Sequence, residues 1–236
     1  MKYQGDGDID PEELEKFSAA AQQWWDPLGD MRTLHHMNPL RLAYIDNAVR
    51  LAGKKVLDLG CGGGILAETM AAKGALVTGL DPSEKLIEIA RQHSRQAGVN
   101  VEYVPGTAAR FAEQYPANFD VLTCMELLEH VPDVSALIAA CANLLRPGGQ
   151  LLLSTLNRTW RSYVAAIVGG EYILGLLPRG THDYHKFIRP AELGEVLRVH
   201  GFIVRDISGV LYLPGLNLCM LSSSPGVNYM LHATYL

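Results

Sequence analysis

The sequence lacks several features by which large classes of protein are recognised. It has 4 cysteines and no CxxC pair, which makes a structural zinc site unexpected and favours reduced thiols in the cytosol. Its 20 Lys and Arg residues are outnumbered by 25 Asp and Glu residues, giving a net charge of -5. Proteins that bind nucleic acid through phosphate contacts are usually basic. We therefore expect no nucleic-acid partner.

The chain also lacks an uninterrupted apolar run long enough to span a bilayer, which takes about 20 residues. The first 30 residues are polar and acidic, without the apolar core of a secretory signal. Glu171 interrupts the apolar residues 162–178, and prolines, glycines and serines interrupt residues 207–236. The latter segment contains no Asp, Glu, Lys or Arg, and we interpret it as strands and turns. These patterns predict a soluble, cytoplasmic protein.

What the sequence does contain is a regular alternation of strand and helix patterns between residues 56 and 155. This alternation predicts an α/β fold with a doubly wound, Rossmann-like, mostly parallel sheet. Two Xaa-Pro signals, Asp10-Pro11 and Asn38-Pro39, predict N-terminal helices that run to about Trp24 and Leu51. We predict about seven strands, over residues 56–59, 75–80, 101–104, 119–125, 150–155, 202–207 and 227–235. A helical insertion follows the fifth strand, and a further helix covers residues 190–200.

The most informative segment is VLDLGCGGG at residues 56–64, a short strand that ends in glycines and opens a helix. Such a turn lets a ligand approach the backbone closely. It lacks the Lys and Ser/Thr of a phosphate-binding loop, and Ile65 stands where the dinucleotide fingerprint has its third glycine. Asp58 is badly placed to face a pyrophosphate but suits a cationic ammonium group. The loop therefore favours a ligand without phosphate.

A second carboxylate, Asp81, ends the next strand 21 residues beyond Gly60. An acidic residue at about this distance can accept both ribose hydroxyls of a nucleoside. A ribose together with an amino-acid-like cation is the inventory of S-adenosylmethionine. The structural alternative is that Asp58 satisfies a turn and Asp81 caps the following helix.

Three motifs in order resemble those of the class I S-adenosylmethionine-dependent methyltransferases: VLDLGCGGG, FDVLTCM at residues 119–125, and LLRPGG at residues 144–149 followed by LLL. Further segments are similar to the bacterial ubiquinone-biosynthesis O-methyltransferases: WWD at residues 24–26, NPLRL at 38–42, MELLEHV at 125–131, GTHD at 180–183 and VNYMLH at 227–232. The resemblance covers most of the chain and weakens after residue 207. It implies cofactor contacts at Arg41, Gly60, Asp81 and Met125, to which the loop adds Asp58 and Gly62. Arg41 would pair with the methionine carboxylate.

Glu126, Glu129 and His130 follow the fourth predicted strand with the spacing i, i+3, i+4. On a helical turn they would share one face, where they could hold a divalent cation or form a base with its orienting partners. The alternative is a solvated face with His130 as a cap. The resemblance implies a catechol-type acceptor, whose methylation would use Mg²⁺ bound by these three residues. His130 is the first candidate for proton removal, and His182 and His185 are weaker ones.

The segment from residue 158 to residue 177 places arginines, Trp160 and Tyr163 at the edges of apolar runs. This composition fits a helix that lies on an anionic membrane surface, or a lid over the substrate pocket. The resemblance implies a polyprenylated phenol or quinol substrate, peripheral attachment to the inner face of the cell membrane, and contact with other ubiquinone-biosynthesis proteins.

We thus expect one methyltransferase domain over residues 1–236. It would comprise an N-terminal helical cap (1–52), a cofactor-binding core (53–155), an apolar lid or membrane-contact insertion (156–188) and a C-terminal helix with strands (189–236). The alternatives are a related methyltransferase with another acceptor, a nicotinamide-dependent oxidoreductase and an inactive scaffold. The missing third glycine argues against the oxidoreductase, and the intact acidic residues argue against the scaffold.

Overall fold

The structure, a computed structural model, describes the backbone of residues 11–19, 21–163, 184–213 and 216–236. The strands within these residues are β1 (Lys55–Leu59), β2 (Leu76–Asp81), β3 (Glu102–Pro105), β4 (Phe119–Met125), β5 (Leu145–Leu156), β6 (Phe202–Leu213), β7 (Leu218–Ser222) and β8 (Asn228–Tyr235). They form one sheet in the order β3-β2-β1-β4-β5-β8-β6-β7. The predicted α/β fold is confirmed, and the sheet has eight strands rather than about seven.

The helices of the described residues alternate with the strands. They are α1 (Pro11–Ala19), α2 (Arg32–Val49), α3 (Ile65–Ala72), α4 (Glu84–Ala97), α5 (Ala108–Gln114), α6 (Val134–Leu144), the single turn α7 (Trp160–Ser162) and α8 (Pro190–Val199). Short 3-10 turns cover Ala21–Gln23, Leu128–His130 and Tyr184–Lys186. Among the described residues, no helix has both the length and the apolar character needed to cross a membrane.

The first five strands of the sheet are parallel, and the last three are added antiparallel. The chain moves outward from β1 through β2 to β3, and then returns to place β4 on the other side of β1. Such a reversal leaves a crevice at the carboxyl ends of the strands, where open α/β sheets bind ligands. Leu57, Leu122 and Leu152 are fully buried in neighbouring strands and form part of the core beneath this edge.

Several predicted boundaries are wrong for identifiable reasons. Helix α2 begins at Arg32 and carries Pro39 inside it, because buried Met37 and Arg41 anchor its first half against the core. The first helix ends at Ala19 rather than near Trp24. The predicted turn at residues 147–149 is an irregularity within β5, since the β4–β5 register shifts there.

Two elements of the structure are absent from the prediction, and one strand is longer than predicted. Helix α5 and strand β7 were not predicted, and β6 extends six residues beyond its predicted end. The prediction that residues 207–236 form strands and turns is consistent with β6, β7 and β8. Residues 164–183 of the predicted insertion, which include His182, lie outside the described residues.

Candidate active site

The structure brings all nine predicted site residues to the wall of one cavity of about 310 Å³. These residues are Arg41, Asp58, Gly60, Gly62, Asp81, Met125, Glu126, Glu129 and His130. The cavity volume is at the lower end of the range for small-molecule sites, about 300–1,000 Å³. The cavity lies at the crevice between the carboxyl ends of β1, β2 and β4.

The glycine loop after β1 forms one side of the cavity and is held against β2. The backbone N–H groups of Gly60 and Cys61 both donate to the carbonyl of Leu80, at 2.8 and 3.2 Å. Gly60 and Gly62 adopt positive φ angles of 67° and 54°, a conformation that glycine adopts without strain. A Cβ atom at Gly62 would lie 2.3 Å from the Trp24 ring. The glycines therefore let the N-terminal segment pack directly on the loop.

Asp58 lies near the carboxyl end of β1, where it lines the cavity, and it is 3% exposed. The Thr123 hydroxyl, on the neighbouring strand β4, donates to Asp58 Oδ1 at 2.6 Å. Burial raises the pKa of Asp58 to about 7, against the opposing effects of Thr123 and Arg41. A carboxylate with so costly a charge is well suited to meet a cationic ligand, because an ammonium group would stabilise its ionised form.

Asp81 at the end of β2 is also buried, and backbone donors occupy both of its carboxylate oxygens. The N–H of Gly62 donates to Oδ2 at 2.9 Å, and the N–H of Ser83 donates to Oδ1 at 2.8 Å. Burial raises the pKa of Asp81 to about 6, while the two amides act in the opposite direction. Asp81 thus fixes the glycine loop and the start of α4, as the structural alternative required. Each oxygen keeps a second lone pair, so this role does not prevent a contact with ribose.

Arg41 from α2 and Glu126 after β4 form an ion pair across the cavity wall, with Nη2 3.2 Å from Oε1. Glu126 has a φ of 54°, a strained conformation that costs about 1–3 kcal/mol in a non-glycine residue. Ser154 on β5 holds it there, since its carbonyl and its hydroxyl oxygen both lie 3.1 Å from the Glu126 backbone nitrogen. The Ser154 hydroxyl also lies 2.8 Å from Glu126 Oε1. In this conformation the Glu126 carboxylate pairs with Arg41.

Glu129 is buried in the 3-10 turn after β4 and is 3% exposed. The Thr155 hydroxyl donates to its Oε2 at 2.8 Å, whereas its buried Oε1 has no hydrogen-bond partner. Burial and then the charge of Glu126 raise the pKa of Glu129 to about 8. This carboxyl is therefore poised to hold a proton or to meet a cation at near-neutral pH.

The structure contradicts the prediction that Glu126, Glu129 and His130 share one face of a helical turn. Glu126 precedes the 3-10 turn Leu128–His130 and has left-handed geometry, so the helical spacing does not hold across the three residues, although all three line the cavity. His130 Nδ1 lies 2.8 Å from Glu13 Oε2 on α1. In the part of the chain that the structure describes, no three His, Cys, Asp or Glu side chains are grouped closely enough to hold a metal ion. The predicted three-residue metal site is not formed.

Sequence reasoning missed the residues by which the N-terminal segment covers the cavity. Trp24 packs on the glycine loop, and Trp25 Nε1 donates to the Gly63 carbonyl at 2.8 Å. Phe17 meets the His130 ring edge-on, with ring centroids 5.0 Å apart. The available signal was the Trp-Trp pair at residues 24 and 25, although its sequence position alone does not place it over the loop.

The fold and this site define the class of the protein. A family model described as "Methyltransferase domain" matches residues 33–207. The crystal structure of magnesium protoporphyrin IX methyltransferase from Synechocystis with bound SAH has a TM-score of 0.71, at 23% identity over 96% of this chain and 100% of that chain. The chain is a class I S-adenosylmethionine-dependent methyltransferase.

Comparison with curated proteins makes the assignment narrower. The chain is 52% identical to the ubiquinone biosynthesis O-methyltransferase of Aromatoleum aromaticum, over 95% of this chain and 96% of that protein. It is 53% identical to the protein of the same name from Pseudomonas putida, over 94% and 96%. The chain belongs to the ubiquinone biosynthesis O-methyltransferase family, and the resemblance found in its sequence is confirmed.

Proposed function

We propose that this protein transfers the methyl group of S-adenosylmethionine to a phenolic oxygen of a polyprenylated catechol or demethylubiquinol in ubiquinone biosynthesis. One observation carries the proposal: the buried Asp58 and Asp81 line the same cavity as Glu126 and Glu129, which follow β4. The two aspartates suit a phosphate-free nucleoside with an ammonium group. The two glutamates suit an acceptor with two adjacent oxygens. The names of the curated relatives support the same acceptor class.

The cavity residues fit the cofactor. Arg41 Nε is buried without a hydrogen-bond partner, so a carboxylate in the cavity would satisfy it, as the methionine carboxylate would. Asp58 would accept the ammonium group, and Asp81 would accept the ribose hydroxyls with its remaining lone pairs. Gly60, Gly62 and Met125 would form the surface on which the cofactor lies.

The reaction is an in-line displacement at the sulfonium methyl group. The bond from the acceptor oxygen to the methyl carbon forms as the carbon–sulfur bond breaks, and the electron pair of that bond remains on sulfur. The phenolic proton leaves to a base, for which His130 is our candidate. Orientation of the two reactants can supply about 7–11 kcal/mol of the barrier, so the main task of the cavity is alignment.

We also propose that Glu126 and Glu129 hold a divalent cation such as Mg²⁺, with His130 excluded from the ligand set. The unpartnered Glu129 Oε1 and the mutual repulsion of the two carboxylates fit such a cation. When bound, it would lower the pKa of a chelated catechol oxygen. Activity measured after complete chelation tests this point, since loss of turnover that Mg²⁺ restores is expected and full retention would contradict it.

We further propose that the protein works as a single methyltransferase domain that attaches peripherally to the cytoplasmic face of the cell membrane, near other proteins of the same biosynthesis. Trp160 and Tyr163, which precede the segment outside the described residues, are 71% and 46% exposed. Such amphipathic aromatics favour the membrane interface. Replacing both by alanine should reduce sedimentation with anionic liposomes, whereas Leu28→Ala, at a side chain that is 84% exposed, should not.

The decisive assay incubates the protein with methyl-labelled S-adenosylmethionine and a prenylated catechol, and identifies the methyl ether by mass spectrometry. We expect methyl transfer to a phenolic oxygen, and at least a hundredfold loss in Asp81→Ala. Binding of S-adenosylhomocysteine without transfer to any prenylated catechol or quinol would contradict the acceptor. It would leave the methyltransferase fold and class unaffected.

A further inference from the structure

Helix α1 closes the cavity from outside and contacts both of its ends. Leu14 and Phe17 contribute to the cavity wall. On the cofactor side, the hydroxyls of Ser18 and Ser83 lie 2.7 Å apart, and Ser83 is the N-cap of α4, two residues after Asp81. On the acceptor side, Glu13 meets His130. The helix therefore spans the opening between the two halves of the site.

The chain that follows α1 is fixed to the core. Trp24 is 7% exposed and packs on the glycine loop. Trp25 is held by its hydrogen bond to Gly63 and by a parallel stack on the His93 ring, with centroids 3.4 Å apart and an interplanar angle of 4°. The short turn Ala21–Gln23 lies between α1 and this fixed point in the chain order. The arrangement is that of a lid with an anchored base.

A molecule as large as S-adenosylmethionine must enter and its product must leave in every turnover, and enzymes commonly open a lid segment for these steps. The sheet edge and the glycine loop are held by backbone hydrogen bonds to neighbouring strands. Helix α1 lies outside the sheet and contacts the core through the Glu13 and Ser18 side chains. Its displacement would therefore break no hydrogen bond of the sheet.

Helix α1 supplies two restraints on the His130 ring. Glu13 Oε2 lies 2.8 Å from Nδ1, and Phe17 lies edge-on to the ring at an interplanar angle of 86°. A ring nitrogen that donates to a carboxylate is fixed in tautomer and orientation. Opening of α1 would remove both contacts at once.

We propose that α1 is a lid over the active site and that Glu13 is a positioning residue which fixes the His130 ring while the lid is closed. Closure of α1 over the cofactor and orientation of the His130 ring therefore occur together. The inference rests on the proposed function only in assigning His130 to the acceptor side. The lid itself is tested by the rate at which S-adenosylhomocysteine is released in the absence of acceptor.

The lid is tested by replacing Ser18 and Ser83 with cysteine and measuring release of S-adenosylhomocysteine by stopped-flow tryptophan fluorescence. We expect a disulfide under mild oxidation and at least tenfold slower release, reversed by a reductant. Ser18→Cys alone, treated identically, should release product as the wild-type protein does. Failure of the pair to cross-link, or a cross-linked protein with unchanged release, would overturn the lid.

The positioning role is tested by Glu13→Ala and Glu13→Gln, with Glu15→Ala as the control, since Glu15 is an exposed residue of the same helix. We expect Glu13→Ala to lower kcat about tenfold with an unchanged acceptor KM, and Glu13→Gln, which keeps an acceptor oxygen, to recover most of it. A kcat in Glu13→Ala equal to that of Glu15→Ala would overturn the role. Absence of methyl transfer in the wild-type protein would instead contradict the proposed function.

Discussion

The replacement Asp58→Asn should strengthen the fold and weaken the binding of cofactor. The substitution keeps the shape of the side chain, and its amide oxygen can still accept the Thr123 hydroxyl that now lies 2.6 Å from Oδ1. It removes a negative charge from a site where burial raises the pKa from 3.8 to about 7. The two effects have opposite signs, and this makes the prediction specific.

The magnitude follows from linkage between protonation and folding. A carboxyl whose folded pKa is raised contributes stability that is complete below its ordinary pKa and is lost as the pH rises through about 7. By pH 8 the penalty in the ligand-free protein is roughly 4 kcal/mol. Asp58→Asn should remove much of this penalty and flatten the fall in stability between about pH 4 and pH 8. The lost charge-assisted contact with the ammonium group should weaken binding by about 10- to 150-fold.

The assay pairs urea denaturation between pH 5 and pH 8 with calorimetric titration of S-adenosylhomocysteine, which keeps the ammonium group. Asp30→Asn, at an exposed position, is the matched control and should change neither quantity. Wild-type affinity in Asp58→Asn, or a stability that falls with pH as steeply as that of the wild-type protein, would refute the reasoning.

Three further outcomes are expected. Gly62→Ala should destabilise the protein and weaken cofactor binding, because the added carbon displaces Trp24. The control Gly53→Ala is also at positive φ but has nothing within 4 Å of the added carbon, so it should show only the backbone strain of about 1–2 kcal/mol. Equal effects of the two substitutions on cofactor affinity would contradict this prediction. Glu129→Gln should raise the stability of the ligand-free protein above pH 8, because the wild-type carboxyl, with its pKa raised to about 8, is ionised there. A variant less stable than the wild-type protein at pH 9 would contradict a free-energy penalty for burying this charge. A thiol reagent should label Cys219, the half-buried cysteine, and leave Cys124 and Cys141, which are fully buried, unreacted under native conditions. Rapid labelling of Cys124 or Cys141 would contradict the packing of the core.

The sequence was sufficient to predict that Asp58, Gly60 and Asp81 lie together at one cavity, because local geometry there is set by short-range chemistry. Asp58 and Asp81 each stand at a fixed distance from the glycine turn, and parallel strands place such positions at one edge of the sheet. Met125, which the family resemblance implied, lies at the end of β4 on the same cavity. Local pattern and tertiary position coincide in this part of the chain.

The acceptor half could not be predicted in the same way because it depends on contacts between distant segments. The positive φ of Glu126 arises from Ser154 on another strand, and it breaks the helical spacing assumed for Glu129 and His130. Glu13 reaches His130 from a helix 117 residues away in the chain. No periodicity within either segment reports such a contact.

The start of α2 shows the same limitation in the fold. Asn38-Pro39 is a strong local signal for a helix start, but the structure places it in the middle of a helix that begins at Arg32. Burial of Met37 and Arg41 against the core outweighs the backbone hydrogen bond that Pro39 cannot make. Tertiary packing decides such boundaries, and the sequence displays it only indirectly.

The central claim is that the two buried aspartates bind a phosphate-free nucleoside that carries an ammonium group. A crystal structure of the protein soaked with S-adenosylhomocysteine tests it most directly. We expect the ribose hydroxyls within hydrogen-bond distance of Asp81 and the ammonium group facing Asp58. A ligand bound elsewhere, or an empty cavity at saturating concentration, would contradict the account.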